Sequence, residues 1–331
     1  MKFVRSALVA AGALVAIAAA ACAWFFHTAY GDRSLPRSDV RVLIGRGSTF
    51  AEVARQLAHE GVIGNVLAFR LLAHARGEET AVRAGEYRFA AHQTQSDILR
   101  ALVTGGAQIA VWVTIPEGFT VREIAERLDS SGVGPADEFQ RAFLHDSISV
   151  DGVRTRGLEG FLYPSTYLFP IGASAQQIEG VLTAEFFAKL PAGAAADVRR
   201  LRASLEQVVV VASMVEREAK SDSDRPLIAS VIYNRLRTGM PLEVDATIEY
   251  ALPEHKSRLT FADLRIDSPY NSYRHTGLPP TPIANPGTPS LEAALRPANT
   301  GFLYYVYCGK GRHVFANTLA EHQANVARCL Q

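Results

Sequence analysis

Lys2 and Arg5 precede an uncharged run from Ser6 to Phe26 that closes on Trp24, Phe25 and Phe26. A stretch of roughly 20 apolar residues can satisfy its backbone inside a bilayer only as a helix. The basic residues before it and the aromatic residues after it suit the two membrane interfaces. Residues 1–27 are therefore expected to form a transmembrane anchor and 28–39 a linker, with the rest of the chain on the extracytoplasmic side of the membrane. A cleaved signal peptide is the competing reading, because Ala18 to Ala21 offer small-residue cleavage sites. A lipoprotein site at Cys22 is disfavoured, since no Leu stands three residues before it. On every reading the remaining chain is exported. Cys308 and Cys329 then lie where disulfides persist, but two cysteines make no framework, and free thiols are an equal reading. The chain of 331 residues has room for two or more domains. Its 34 basic and 33 acidic residues give no case for nucleic acid.

An internal repeat follows the anchor. VLIGRGSTFAEVARQLAHEGVI (Val42 to Ile63) and VTIPEGFTVREIAERLDSSGVG (Val113 to Gly134) share Gly47/Gly118, Thr49/Thr120, Glu52/Glu123, Leu57/Leu128 and Gly61/Gly132. In each, a short strand ends at Gly, and Thr with the Glu three residues on forms a capping box for an amphipathic helix that stops at Gly. TQSDILRALVTGG, from Thr94, is a degenerate third copy with Asp97 in the acidic place. Such units are similar to LysM modules, which bind glycan chains, although strand–cap–helix is also a generic element and a structural spacer. AGEYRF, between two copies, reads as a core strand. LEGFLYPSTYLFP (Leu158 to Pro170) reads as an aromatic-rich loop with a short strand.

Two glutamates two residues apart, Glu216 and Glu218, stand in the apolar helical run LEQVVVVASMVEREAK. On a helix they point roughly 200° apart. Glu218 sits above Val215, Met214 and Val211, whereas Glu216 sits above Ser213, Ala212 and Val209, so Glu218 ends the oilier stripe. Apolar surroundings favour the neutral, proton-donating form of a carboxyl group. Asp224 is placed to cap the next helix, which carries Asn234 and Arg235 near its end and stops at Gly239. Asp245 reads either as another helix cap or as a cleft residue. SPYNSY and TGLPPTPIANPG form a stiff, Pro-rich functional loop in which Tyr270, Asn271 and Tyr273 offer groups for a sugar. The tail alternates as a β-hairpin turning at Gly309 to Gly311, and Thr318 with Glu321 caps a last helix. Histidine spacing, and the lack of HExxH or CxxC, give no metal site, and no nucleophile elbow is present.

In order along the chain, IPEGFT, LEGFLYPSTY, ASMVEREA, VIYNRL, GMPLEVDATIEYAL, SPYNSY, GLPPTPIANPG and GRHVFANT closely resemble the YceG-like family, from about residue 40 to 328. These are the MltG-type endolytic murein transglycosylases. The resemblance implies an α+β fold, with a LysM-like subdomain at 40–110 and a mainly helical catalytic domain at 111–331 that closes on the β-hairpin. It implies one catalytic glutamate on the ASMVEREA helix. Glu218 fits that place better, with Glu216 as the alternative, although Ala219 stands where Ser or Thr is often found.

The implied reaction is non-hydrolytic cleavage of MurNAc–GlcNAc linkages that leaves 1,6-anhydro-MurNAc ends. Glu159, Tyr163, Asn234, Asp245, Tyr270 and Asn271 are the implied substrate-binding residues. Glu159 and Asp245 are also the only candidates for the second carboxylate that a muramidase needs. A catalytically inactive glycan-binding scaffold is the other alternative. Peptidoglycan strands are the implied substrate and peptidoglycan synthases the implied neighbours, with no metal or organic cofactor required.

Overall fold

The computed structural model describes residues 2–45, 47–150, 152–254, 256 and 259–329. Met1 and the side chains of Lys2 and Arg5 lie outside the described residues. Helix α1 (Lys2–Phe26) is apolar and long enough to cross a membrane. A π-helical turn at His27–Gly31 follows and buries Ala29.

The chain divides into two units, residues 1–111 with 168–173 and residues 112–167 with 174–331. Beyond α1, the first contains β1 (Val40–Ile44), α2 (Phe50–His59), α3 (Val66–Arg76), β2 (Gly85–Phe89) and α4 (Gln95–Thr104). β1 and β2 pair antiparallel with Val42 opposite Tyr87. Alternate residues of a strand share a face, so Val42, Ile44, Tyr87 and Phe89 all enter one core with Leu57, Phe69 and Leu102. The capping boxes expected at Thr49–Glu52 and Thr94–Asp97 are both closed.

The chain passes into the second unit within β3 (Ala110–Thr114). There follow α5 (Val121–Ser130), α6 (Ala136–His145), β4 (Ser149–Val150), β5 (Val153–Arg154) and β6 (Thr166–Pro170), which passes into the first unit at Leu168. Helices α7 (Ala175–Lys189), α8 (Ala194–Leu201), α9 (Leu205–Glu218), α10 (Arg225–Thr238), α11 (Asp245–Ala251) and α12 (Thr288–Leu295) come next. The hairpin of β7 (Tyr304–Tyr307) and β8 (His313–Ala316) and the helix α13 (Leu319–Cys329) complete the unit. The architecture is thus mixed α and β, helices with small two-stranded sheets. The Thr120–Glu123 box on α5, the repeat partner of Thr49–Glu52, is also closed.

α9 is the central helix of this unit. Its run Val208 to Val215 is wholly buried, in a core shared with Ile228 and Ile232 of α10 and Leu291 and Ala294 of α12. Valine is a poor helix former, but the penalty is at most about 0.7 kcal/mol per residue. Burying each valine contributes about 1.5 kcal/mol or more, so packing decides the conformation. Ser213, the polar residue of the run, donates to the Val210 carbonyl and accepts the Ile283 N–H, which pins the Pro-rich loop to the helix.

Two expected caps are not formed. Asp224 makes no side-chain cap to α10. Its backbone is helical (φ −84°, ψ −24°) rather than extended, and Pro226 removes an N–H that a cap would bind. The buried Asp224 carboxylate instead accepts the backbone N–H of His313 at 2.8 Å and faces its Nδ1 at 2.9 Å, tying β8 to the start of α10. Asp245 is the first residue of α11 and Val244 is the cap residue, so capping does not explain Asp245. The Thr318–Glu321 box on α13 is formed. Cys308 and Cys329 are joined in a disulfide, which settles the question of free thiols.

Candidate active site

α9 ends at Glu218, and Ala219 turns the chain into an extended path. The carboxyl group therefore lies at the helix terminus, enclosed by protein on most sides but open to a cavity of about 390 Å³. Tyr305 from β7 donates its hydroxyl to Glu218 Oε2 at 3.2 Å. The Ala246 N–H, in the first turn of α11, also points to the carboxyl group. Burial pushes the Glu218 pKa up to about 7, and the neighbouring Asp245 charge adds to this; the Tyr305 and Ala246 bonds and Lys220 oppose the rise. A carboxylic acid so placed keeps its proton to near neutrality.

Three carboxyl groups line this cavity among the described residues, and their partners differ. Glu243 is ion-paired with Arg235 at 2.8 Å. Arg235 also donates to the carbonyls of Pro241, Leu242 and Leu303, and its guanidinium lies 5.1 Å from the centre of the Tyr304 ring. Asp245 accepts the Tyr273 hydroxyl. Glu218 and Asp245 each accept a tyrosine hydroxyl and neither has a salt bridge among the described residues, but Asp245 is exposed whereas Glu218 is half-buried. The segment before α11 is held by the Ser272 carbonyl and hydroxyl, which accept the N–H groups of Glu243 and Val244. Glu243 sits at φ +53°, a left-handed conformation unfavourable to a side chain; these bonds and the Arg235 pair hold it there.

Glu216 has a different environment. Its side chain is 7% exposed and forms an ion pair at 3.3 Å with Arg225, itself 12% exposed. It also accepts the Gly287 N–H at the start of α12. Its task there is to join α9, α10 and α12.

The other sequence-selected residues are spread more widely than the sequence suggested. Asp245 lines the Glu218 cavity. Glu159 lies elsewhere: it accepts the Val121 N–H, the Asn285 amide and the Tyr250 hydroxyl, and burial pushes its pKa up to about 8. Asn285 in turn accepts the Leu162 N–H and donates to the Phe119 carbonyl. Those contacts lock the IPEGFT, LEGFLYP and PIANPG segments together. Tyr163 is buried with its hydroxyl on Thr288. Asn234 spends its amide on the carbonyls of Thr300 and Phe302 and accepts from Arg237. Tyr270 bonds Thr281 and packs on Tyr250. Asn271, fully buried, holds the carbonyls of Leu264 and Ile266 and accepts the Tyr273 N–H, which sets the tyrosine that reaches Asp245. Tyr305, Arg235, His322 and Val326 also line the cavity without having been singled out for it. The signal available for Tyr305 was hairpin alternation, and for His322 and Val326 a spacing of four on one helical face.

A model of the YceG-like family matches residues 42–328. The chain belongs to the YceG-like family. A Bacillus subtilis (strain 168) protein named endolytic murein transglycosylase is 31% identical over 306 residues, covering 86% of this chain and 83% of that protein. A Streptococcus pneumoniae protein (serotype 2, strain D39) of the same name is 28% identical over 87% of this chain, which spans 58% of its length. A crystal structure of a YceG-like protein from Listeria monocytogenes matches with a TM-score of 0.57 at 31% identity, covering 87% of this chain and 99% of that one.

The last wall of the cavity in this YceG-like chain is α13. α13 has no fully buried residue, and the disulfide joins its end, Cys329, to Cys308 after β7, across 21 residues. Replacing both cysteines by serine is expected to weaken the hold on α13 by about 3 kcal/mol and to raise KM more than it lowers kcat. Amide hydrogen exchange along α13 checks this; protection equal to that of the parent is the contrary result.

Proposed function

We propose that the chain is a membrane-anchored endolytic lytic transglycosylase, in which Glu218 alone is the acid and then the base. One observation carries the assignment: Glu218 opens on the cavity as a carboxyl group with no salt bridge among the described residues, its pKa raised by burial to about 7. Protonated Glu218 donates to the oxygen linking MurNAc to GlcNAc, and the C1–O bond breaks. The Glu218 carboxylate then takes the proton of the muramyl 6-hydroxyl as that oxygen closes on C1. The 1,6-anhydro end forms, and the proton taken from the 6-hydroxyl leaves Glu218 as the acid again. No water is consumed and no second carboxylate is needed, because the nucleophile belongs to the sugar. A hydrolase of this kind would use Asp245, which shares the cavity, to activate water or attack the sugar. End-group analysis of isolated peptidoglycan after digestion tests the proposal: anhydro-muramyl ends within long strands support it, and reducing muramyl ends sink it.

The same reading makes α1 a single-pass anchor with the remaining chain on the extracytoplasmic face, beside peptidoglycan synthases. It makes residues 40–110 a LysM-like element that holds the glycan and 111–331 the catalytic domain. The closed strand–cap–helix units of the first unit support the LysM-like assignment. Asn271 acts in it by positioning Tyr273; Glu159, Tyr163, Asn234 and Tyr270 brace the segments around the site.

A pH profile gives a sharper check. The acid must be protonated to start the reaction, so kcat/KM is expected to fall as pH rises through about 7. Tyr305→Phe removes a bond that favours the carboxylate and should move this limb to higher pH. Asp245→Asn removes a charge that disfavours the carboxylate and should move it to lower pH. Shifts in the same direction for both variants would contradict the assignment.

A further inference from the structure

One wall of the Glu218 cavity takes no part in proton transfer. α13 brings His322 and Val326, four residues apart on one helical face, to the lining, and Val306 and Leu242 add apolar surface beside them. The His322 ring stacks on Tyr304, with centroids 5.2 Å apart and planes at 22°, which fixes its orientation. Its Nδ1 is closed off from solvent and has no hydrogen-bond partner among the described residues.

Burial and the Arg235 charge push the His322 pKa below its ordinary value, so the ring is neutral and carries one N–H. A buried N–H without an acceptor is rarer and costlier than a buried bare lone pair. The proton therefore belongs on Nε2, the nitrogen left to meet a ligand. The cavity's charged groups are otherwise engaged, Arg235 with Glu243 and Asp245 with Tyr273. What this wall offers is a single neutral donor among small apolar side chains.

An acetamido group matches that offer. Its carbonyl oxygen accepts one neutral hydrogen bond and its methyl needs an apolar seat. A hydroxyl has no methyl to place, and an ammonium group has no acceptor for the imidazole N–H. We propose that His322 and Val326 form an acetamido seat, with His322 Nε2–H donating to the carbonyl of an N-acetylated sugar and Val326 and Val306 receiving its methyl. This makes His322 a specificity-determining group, and it rests on the reading that the substrate is a murein glycan.

The test measures binding of soluble, uncross-linked glycan strands to the full-length Glu218→Gln chain in detergent, with N-acetylated strands set against chemically de-N-acetylated ones. His322→Phe in that background keeps the ring stack on Tyr304 and removes both nitrogens. It is expected to weaken binding of the N-acetylated strands about tenfold, the worth of one hydrogen bond, and to leave the de-N-acetylated strands unaffected. His322→Gln restores a donor and should recover part of the loss. Equal losses for both ligands, or none for either, overturn the acetamido seat while leaving the transglycosylase reading in place. If the chain with His322 intact binds no N-acetylated strand, that broader reading falls and the seat falls with it.

Discussion

Glu218→Gln is expected to lower the formation of 1,6-anhydro-muramyl ends by at least about 10³-fold, with little change in thermal unfolding. General acid–base catalysis typically contributes about 10²–10⁴ in rate, and here one group serves both proton transfers. The amide keeps the shape of the acid and can still accept the bonds from Tyr305 and the Ala246 N–H. It cannot donate a proton to a glycosidic oxygen and is too weak a base to take one from the 6-hydroxyl. Release of muropeptide ends from isolated sacculi, set beside a calorimetric scan, checks both halves. Full activity in the folded variant would remove Glu218 from the chemistry.

Glu216→Gln should do nearly the reverse, destabilising the protein by about 3 kcal/mol while each folded molecule retains its activity. The reason is Arg225, which lies 12% exposed against Glu216 and would keep, among the described residues, a salt bridge only to Asp222, itself 85% exposed. Breaking a buried pair by removing one member leaves the other charge without compensation. Denaturant unfolding gives the first quantity, and activity normalised to the folded fraction gives the second. An unchanged stability together with lost activity would move the catalytic role to Glu216. For that reason Glu216 is not a silent control: a crude assay would register lost fold as lost chemistry.

The helical geometry that separates the two glutamates was legible in the sequence, but the property that distinguishes them was not. Counting neighbours on the helix marked Glu218 as the more apolar site. In the fold Glu216 is also largely enclosed, and what sets it apart is its ion pair with the arginine nine residues further on. No helical periodicity reports a partner on the next helix. The capping boxes at Thr49, Thr94, Thr120 and Thr318 were readable because a cap and its acceptor lie within one turn. Asp224 failed the same reasoning because Pro226 removes a donor and a strand nearly ninety residues later supplies a better one. Glu159, Asn234 and Asn271 looked like sugar ligands for the same reason that they brace loops, since a buried amide or carboxyl group must find partners. Which partners it finds depends on segments far along the chain. Tyr305 and His322 went unremarked because their approach to Glu218 is made only when the terminal hairpin and α13 fold back on α9.

The central claim, that the sugar's own 6-hydroxyl replaces water as nucleophile, is tested most directly by digesting peptidoglycan in water enriched in heavy oxygen and weighing the released ends. The account predicts muramyl ends lighter than a reducing end by one water and free of the label. Reducing muramyl ends that carry the heavy oxygen would contradict it and would direct attention to Asp245 as the group that activates water.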